Sequence, residues 1–350
     1  MKRTGSVIWL AYAASLAFVL WGGCIPVQAQ NSADVIHMKD HPVKLDKAYG
    51  AAIARIGEGR LHQVDATIVE IPAGGKLEPH KHLAEEAIFV ISGKGYTEMW
   101  VANGAKKERF DWKEGDLLSP TMNVWHQHVN ASPDAPARFL SVTTTPLLRS
   151  LVPEPAFATS VDFPFADRWT KSLKVKDPVY VPGATSGSET VRMKVGNLLP
   201  DVANRAMKRQ IADADNPKSP RNLEDGITIG PEEDMASNRL LEMEVREMTA
   251  MEGTSPDHRH LWEVVYLCFK GEMQSKLQRE GEPVRDLRWK AGDLMIVGQS
   301  GLHSRLLLRH LSWWRFCLDR PDQGWLRMPP LRARFREPSR RTMEWSGVFA

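Results

Sequence analysis

Short apolar runs, separated by turn residues, recur along most of the chain. Ala66–Ile71, Ala87–Ile91, Tyr96–Val101 and Arg138–Thr144 are rich in β-branched and aromatic residues, and Gly74-Gly75, Ser92-Gly93 and Glu114-Gly115 bound them. That is the composition of strands between tight turns. The second half repeats it with Leu240–Met248, Val264–Phe269, Leu294–Val297 and Ser312–Leu318. Short strands at regular spacing predict an all-β sandwich or barrel, with the jelly roll as the double-sheet solution. Between them, Ser150 to Ser237 is richer in Pro, Asp and Asn. It is expected to hold the inter-domain connection, a helix near Ala203–Ala212 and the opening strands of a second barrel.

The two halves share more than texture. Gly74-Gly75-Lys76-Leu77-Glu78-Pro79-His80-Lys81-His82-Leu83-Ala84-Glu85-Glu86 is echoed by Pro256-Asp257-His258-Arg259-His260-Leu261-Trp262-Glu263-Val264. His80, His82, Glu85 and Gly93 each recur 178 residues later, and Gly115-Asp116-Leu117 recurs 177 residues later as Gly292-Asp293-Leu294. In both copies a histidine follows that glycine after eleven residues, His126 and His303. A match in register over such a span implies duplication. The expected layout is a signal peptide over 1–29, a barrel over 30–165, a second over 166–326 and a tail over 327–350.

Composition narrows the class. The chain has 350 residues, enough for two domains, with 42% hydrophobic and 25% charged residues, as in globular proteins. A net charge of +3 lacks the basic footprint of a nucleic-acid binder. Arginines do crowd at 327, 332, 334, 336, 340 and 341, which reads as a solvated tail or strap. Met1-Lys2-Arg3, the apolar run Val7–Trp21 and Val27-Gln28-Ala29 form a secretory signal with Gln30 as the first mature residue. A second reading acylates Cys24 as a lipoprotein anchor. The expectation is a periplasmic or secreted protein with no integral span once the signal is removed. Cys268 and Cys317 then remain, inside apolar strands, and read as buried free thiols.

The chemistry lies in the repeated histidines. Alternate strand residues face one side, so His80, His82 and Glu86 can share a face, as can His126, His128 and Asn130. The spacing Gly74, His80-x-His82, Glu86, Gly93, followed by Gly115 and His126, resembles the two motifs of the cupin superfamily. The resemblance implies a metal held by His80, His82, Glu86 and His126 inside the first barrel. Such ligands suit divalent iron, manganese, nickel or copper and leave positions open for substrate or O₂. Fe(II) is the expected metal, with Mn(II) or another divalent ion as the alternative.

The second copy departs from that pattern. His258, His260 and His303 are present, but the glutamate position holds Val264, and Glu263 faces the other way. Two readings stay open: a three-histidine metal site, or a degenerate site with a structural or substrate-binding role. Tyr266 and Cys268 share the inward face of Val264, and Arg305 stands where His128 stands in the first copy. Tyr266 and Arg305 are expected to bind substrate, Arg305 through paired hydrogen bonds to a carboxylate.

The run from Gly115 through Trp125-His126-Gln127-His128-Val129-Asn130 is similar to the second motif of the gentisate dioxygenase group, bicupins that open aromatic rings with Fe(II) and O₂. The expected function is therefore a metal-dependent dioxygenase acting on a small oxygenated or aromatic acid chelated to the metal, with His128 or Asn130 orienting substrate or moving a proton. A non-oxidative lyase, isomerase or decarboxylase, or a periplasmic small-molecule-binding cupin, would use the same ligands. Fold alone does not choose among them. The cupin resemblance also implies association of copies through sheet edges as a homo-oligomer.

Overall fold

The computed structural model describes residues 34–102, 105–181, 190–202, 224–229, 235–248, 254–259, 261–279, 281–299 and 301–318. The expected signal peptide, Cys24, the 203–212 helix, His260 and the arginine-rich tail lie outside them, as do the side chains of Arg305 and Cys317.

The alternating runs do form strands. In the first half, seven strands make one sheet in the order Leu198–Leu199, Leu117–Leu118, Glu86–Ser92, Ala137–Thr143, Asp65–Ile71, Ala51–Arg55 and Lys44–Asp46. A three-stranded sheet, Glu108–Lys113, Lys94–Trp100 and Trp125–Asn130, completes the barrel. The second half builds on a long hairpin-like pair, Val264–Gln278 with Leu302–Leu318, flanked by Leu241–Met248 and Asp293–Val297. The chain is all-β with short helices at Thr145–Leu151, Phe157–Ser160 and Ala166–Lys174. Those helices were not expected. Ala166–Lys174 carries only Trp169 and Leu173 at helical spacing, too few for a clear period, and it is held by burial of Trp169, Arg168 and Ser172.

Period-two patterning explains how one strand serves two cores. Val69, Ile71, Ile88, Val90, Leu118 and Phe139 fill the first barrel. Their alternates Ala66, Ile68, Ala87, Phe89, Leu140 and Val142 pack outward against Leu241, Met243, Val265, Leu267, Leu294 and Ile296 of the second half. Strands buried on both faces read as continuous apolar runs. Each large aliphatic side chain buried this way contributes about 1.5–3 kcal/mol.

Repeated polar residues fasten this interface. The buried Glu85 carboxylate accepts from the backbone N–H groups of Arg239, Leu240 and Leu241 at 2.6, 2.7 and 3.0 Å, and from Arg168. Its counterpart Glu263 accepts from the N–H groups of His62, Gln63 and Val64 at 2.7, 2.7 and 3.2 Å. The sheets also exchange short strands. Val35–His37 pairs with the strand at Asp293, and Leu198–Leu199 pairs with Leu117–Leu118. Asp293 holds the first through His37 Nδ1 at 2.7 Å, and Asp116 holds the second through the Asp201 N–H at 2.7 Å. Both aspartates also accept the N–H three residues back, closing turns whose glycines, Gly115 and Gly292, sit at φ +86° and +91°. A side chain at either glycine would be strained.

Cys268 is buried, and burial, aided by the charge of Asp293, pushes its thiol up to about 12. Backbone register places Cys268 opposite Trp313 and Cys317 opposite Val264. At strand rise their Cα atoms lie on the order of 13 Å apart, beyond the reach of a disulfide.

Candidate metal centre

Four side chains expected from the spacing meet inside the first barrel. His80 and His126 form a β-bridge, with mutual backbone hydrogen bonds of 3.0 and 2.8 Å, because the segment leading to His80 runs antiparallel to Trp125–Asn130. The His82 carbonyl accepts the Asn123 N–H at 2.8 Å, which fixes the turn between His82 and the strand beginning at Glu86. Ring centroids lie 4.2 Å apart for His80 and His126 and 5.0 Å for His82 and His126.

Each of the three rings is oriented by the same local device. His80 Nδ1 donates to Glu78 O at 2.8 Å, His82 Nδ1 to Ala84 O at 2.8 Å and His126 Nδ1 to Val124 O at 2.9 Å. A carbonyl can only accept, so each ring carries a proton on Nδ1; Nε2 of His80 and His126 presents a lone pair, and Nε2 of His82, which donates to ionised Glu86, does so once a metal displaces its proton. Glu86 Oε2 lies 3.2 Å from His82 Nε2 and 3.7 Å from His126 Nε2. Its other oxygen accepts from Ser141 Oγ at 2.5 Å. His126 Nε2 is buried with no hydrogen-bond partner. A buried polar atom of this kind calls for a ligand, and three imidazole lone pairs with one carboxylate fit a divalent transition metal. His82, Glu86 and His126 offer ligand atoms within 4.8 Å of one another, as do His80, His126 and His128, so the cluster could hold a metal ion.

Burial pushes the Glu86 carboxyl up, but the His82 hydrogen bond and the nearby imidazoles outweigh it, and the group stays ionised well below the usual carboxylate range. His126 is held well below its usual range, first by burial and then by its histidine neighbours. His80 is lowered by burial, whereas hydrogen bonding and charge from Glu86 overcome burial at His82 and raise it.

His128 differs from its neighbours. Its Nδ1 lies 2.8 Å from Thr97 Oγ1, which also receives the indole N–H of Trp112 at 3.0 Å. The buried Thr97 hydroxyl has no other acceptor among the described residues, so its proton is assigned to His128 Nδ1, and His128 then carries its own proton on Nε2 and acts there as a donor. Burial brings its pKa down to about 3. It is a neutral donor beside the acceptor nitrogens of His80 and His126.

Asn130 is tied to the backbone. Its amide nitrogen donates to Ile71 O, Pro72 O and Ala135 O, and its oxygen accepts the Ser132 N–H. That side chain is engaged in pinning two loops, which gives it a structural role beside the expected one of orienting substrate or moving a proton. Sequence reasoning also missed groups around the cluster. Ser141 interrupts the apolar run Arg138–Thr144 at an inward position, a legible signal. Asp65 and Glu86 both pair in register with Thr143, which donates to Asp65 Oδ1 at 2.9 Å. Burial raises the Asp65 carboxyl, with Glu86 adding to the effect. The Tyr49 hydroxyl is raised by burial and by the charges of Glu86 and Asp65, and no spacing in the sequence marks it.

In the second barrel His258 and His303 pair across strands with ring centroids 4.2 Å apart. Val264 is buried in the interior and Glu263 faces the first barrel, so neither stands in for Glu86 with a carboxylate there. Tyr266, expected to contact substrate, is wholly buried and instead sets its hydroxyl 3.1 Å from His303 Nε2.

Residues 67–143 match the cupin domain family. No curated protein matches the chain. Among solved structures, salicylate 1,2-dioxygenase of Pseudoaminobacter salicylatoxidans, as adducts with gentisate, aligns with a TM-score of 0.56 at 16% identity, over 80% of this chain and 76% of that one. A mutant of the same enzyme in complex with gentisate gives 0.55 at 17%, over 80% and 77%. A mutant oxalate decarboxylase of Bacillus subtilis aligns at 0.48 and 11%, over 81% and 76%. The dioxygenase likeness is one of fold. With the match over residues 67–143, it shows a cupin domain in the first barrel and a tandem-barrel fold like that of the solved dioxygenase.

Proposed function

We propose that the chain is an exported, metal-dependent dioxygenase acting on a small oxygenated or aromatic acid bound in the first barrel. The observation that carries this reading is the convergence of three Nδ1-protonated histidines and ionised Glu86 around the orphaned Nε2 of His126. His80, His82, Glu86 and His126 would hold the ion, Fe(II) in our reading. When bound, it would supply a template for a chelating substrate and a redox partner for O₂.

The protein's own groups do the rest. His128, neutral and protonated on Nε2, donates a hydrogen bond to a substrate oxygen carrying negative charge. Thr97 and Trp112 fix that tautomer. Asp65, whose carboxyl burial raises, lies in register with Thr143 and Glu86 and accepts from the Thr143 hydroxyl, which holds that strand pair beside the cluster. The apolar lining of Val69, Ile88, Met99 and Phe139 excludes water from the reacting atoms. The solved dioxygenase that shares the fold binds gentisate, which supports an aromatic acid as the first substrate class to try.

The test is oxygen uptake by Fe(II)-loaded protein with a panel of hydroxybenzoates, gentisate included, and aliphatic hydroxy acids. The proposal expects uptake in step with substrate loss, abolished in Glu86→Ala. Turnover that continues without O₂ would replace it with a non-oxidative lyase, isomerase or decarboxylase. Tight binding without turnover would replace it with a small-molecule-binding cupin.

A further inference from the structure

The second barrel repeats the first site's framework but changes its oxygen donor. His258 and His303 are paired across strands, as His80 and His126 are, and the ring centroids stand 4.2 Å apart in both pairs. His303 Nδ1 donates to Gly301 O at 3.0 Å, the same two-residue device that turns His126 toward its cluster. His303 Nε2 is therefore an inward-facing acceptor. In the first barrel the oxygen nearest the equivalent nitrogen is Glu86 Oε2, at 3.7 Å. In the second, the glutamate position is Val264, and the next inward residue on the same strand, Tyr266, brings its hydroxyl to 3.1 Å from His303 Nε2. A phenol is longer than a glutamate side chain, so from a root two residues farther along it brings an oxygen to the same histidine nitrogen.

We propose that the second barrel is a separate metal site of His258, His303 and the Tyr266 phenolate. Tyrosine takes over the anionic oxygen that glutamate provides in the first barrel. A phenolate with imidazoles is a hard, electron-rich donor set that suits ferric iron. Binding converts the hydrogen bond into two metal bonds, one from Tyr266 Oη and one from His303 Nε2, and releases the hydroxyl proton to solvent, one proton per metal. The surroundings, Val264, Met273, Leu277, Trp289 and Met295, are buried and apolar, which strengthens attraction between the cation and the phenolate. The proposal stands independently of the chemistry in the first barrel.

The experiment is titration of the full chain with ferric nitrilotriacetate, followed by visible absorption and resonance Raman spectroscopy. The expected result is a phenolate-to-iron charge-transfer band with tyrosinate vibrations, saturating at one equivalent. That band persists in Glu86→Ala and disappears in Tyr266→Phe, while Tyr266→Phe retains the metal of the first barrel. Absence of the band from the wild-type protein overturns the proposal and leaves Tyr266 as a hydrogen-bonded cap on His303. Survival of the band in Tyr266→Phe also overturns it. If that variant fails to fold, His303→Gln decides: loss of the band supports the site, and an unchanged band rejects it.

Discussion

The two barrels share a backbone plan, yet their repeated residues have met different fates. Residues that join the barrels are present twice and do the same work twice: Glu85 and Glu263 each accept three backbone N–H groups from across the interface, and Asp116 and Asp293 each hold an exchanged strand. The indole-to-hydroxyl pair recurs as well, Trp112 with Thr97 and Trp289 with Ser275, at 3.0 and 2.9 Å. The residues facing the first interior are replaced at the equivalent positions of the second copy. Glu86 corresponds to Val264, Ile88 to Tyr266 and His128 to Arg305. A buried carboxylate that caps backbone donors cannot be lost without leaving them unsatisfied, whereas an interior position tolerates new chemistry if volume and polarity are met.

The largest expected effect breaks the comparison at its chemical end. Glu86→Ala removes one ligand and the acceptor for Ser141, so metal content falls to background for the first barrel and turnover drops by at least about a thousandfold, the scale of losing an essential group. Next come the interface carboxylates. Glu85→Ala strands Arg168 and three N–H groups and should cost about 3–5 kcal/mol in denaturant unfolding. Glu263→Ala strands three N–H groups and, among the described residues, no cation, and should cost about 2–3 kcal/mol. Equal costs would mean that Arg168 adds nothing at the interface.

The third prediction concerns pH. His128 titrates near 3 in the folded protein and near 6.5 when unfolded, so between those values the unfolded chain binds the extra proton. Stability of the chelator-treated protein therefore falls as pH drops from about 6.5 toward 3, by up to about 1.4 kcal/mol per pH unit for this group. His128→Gln should flatten that slope, and an unchanged slope would deny that His128 is held neutral. A smaller change is expected of Thr97→Val. It frees the His128 tautomer and should lower turnover about tenfold with metal content unchanged, the scale of outer contacts to a metal site, while Thr97→Ser recovers most of the activity.

Much of this was legible in the sequence because period-two patterning and a repeat carry register. The strand cores and the duplication follow from parity and spacing, and the set His80, His82, Glu86 and His126 from the motif resemblance, with which parity agrees. Glu263 was rightly placed on the opposite face from Val264, although its carboxylate's role across the interface could not be read from one strand. Asn130 shares the inward parity of His126 and His128 but lies at the strand end, where loop carbonyls claim its amide. Asp65 and Tyr49 come to the cluster through tertiary register and loop placement, which local pattern does not encode. The helix Ala166–Lys174 was missed because its two apolar residues give too weak a period, and its stability comes from packing.

Anomalous diffraction at the metal edge, from crystals of the divalent-metal-loaded protein, tests the central claim most directly. The account predicts a peak in the first barrel bonded to the Nε2 atoms of His80, His82 and His126 and to Glu86, with His128 beside it but not bonded. A first barrel with no peak, or a peak bound by His128 in place of Glu86, would contradict it.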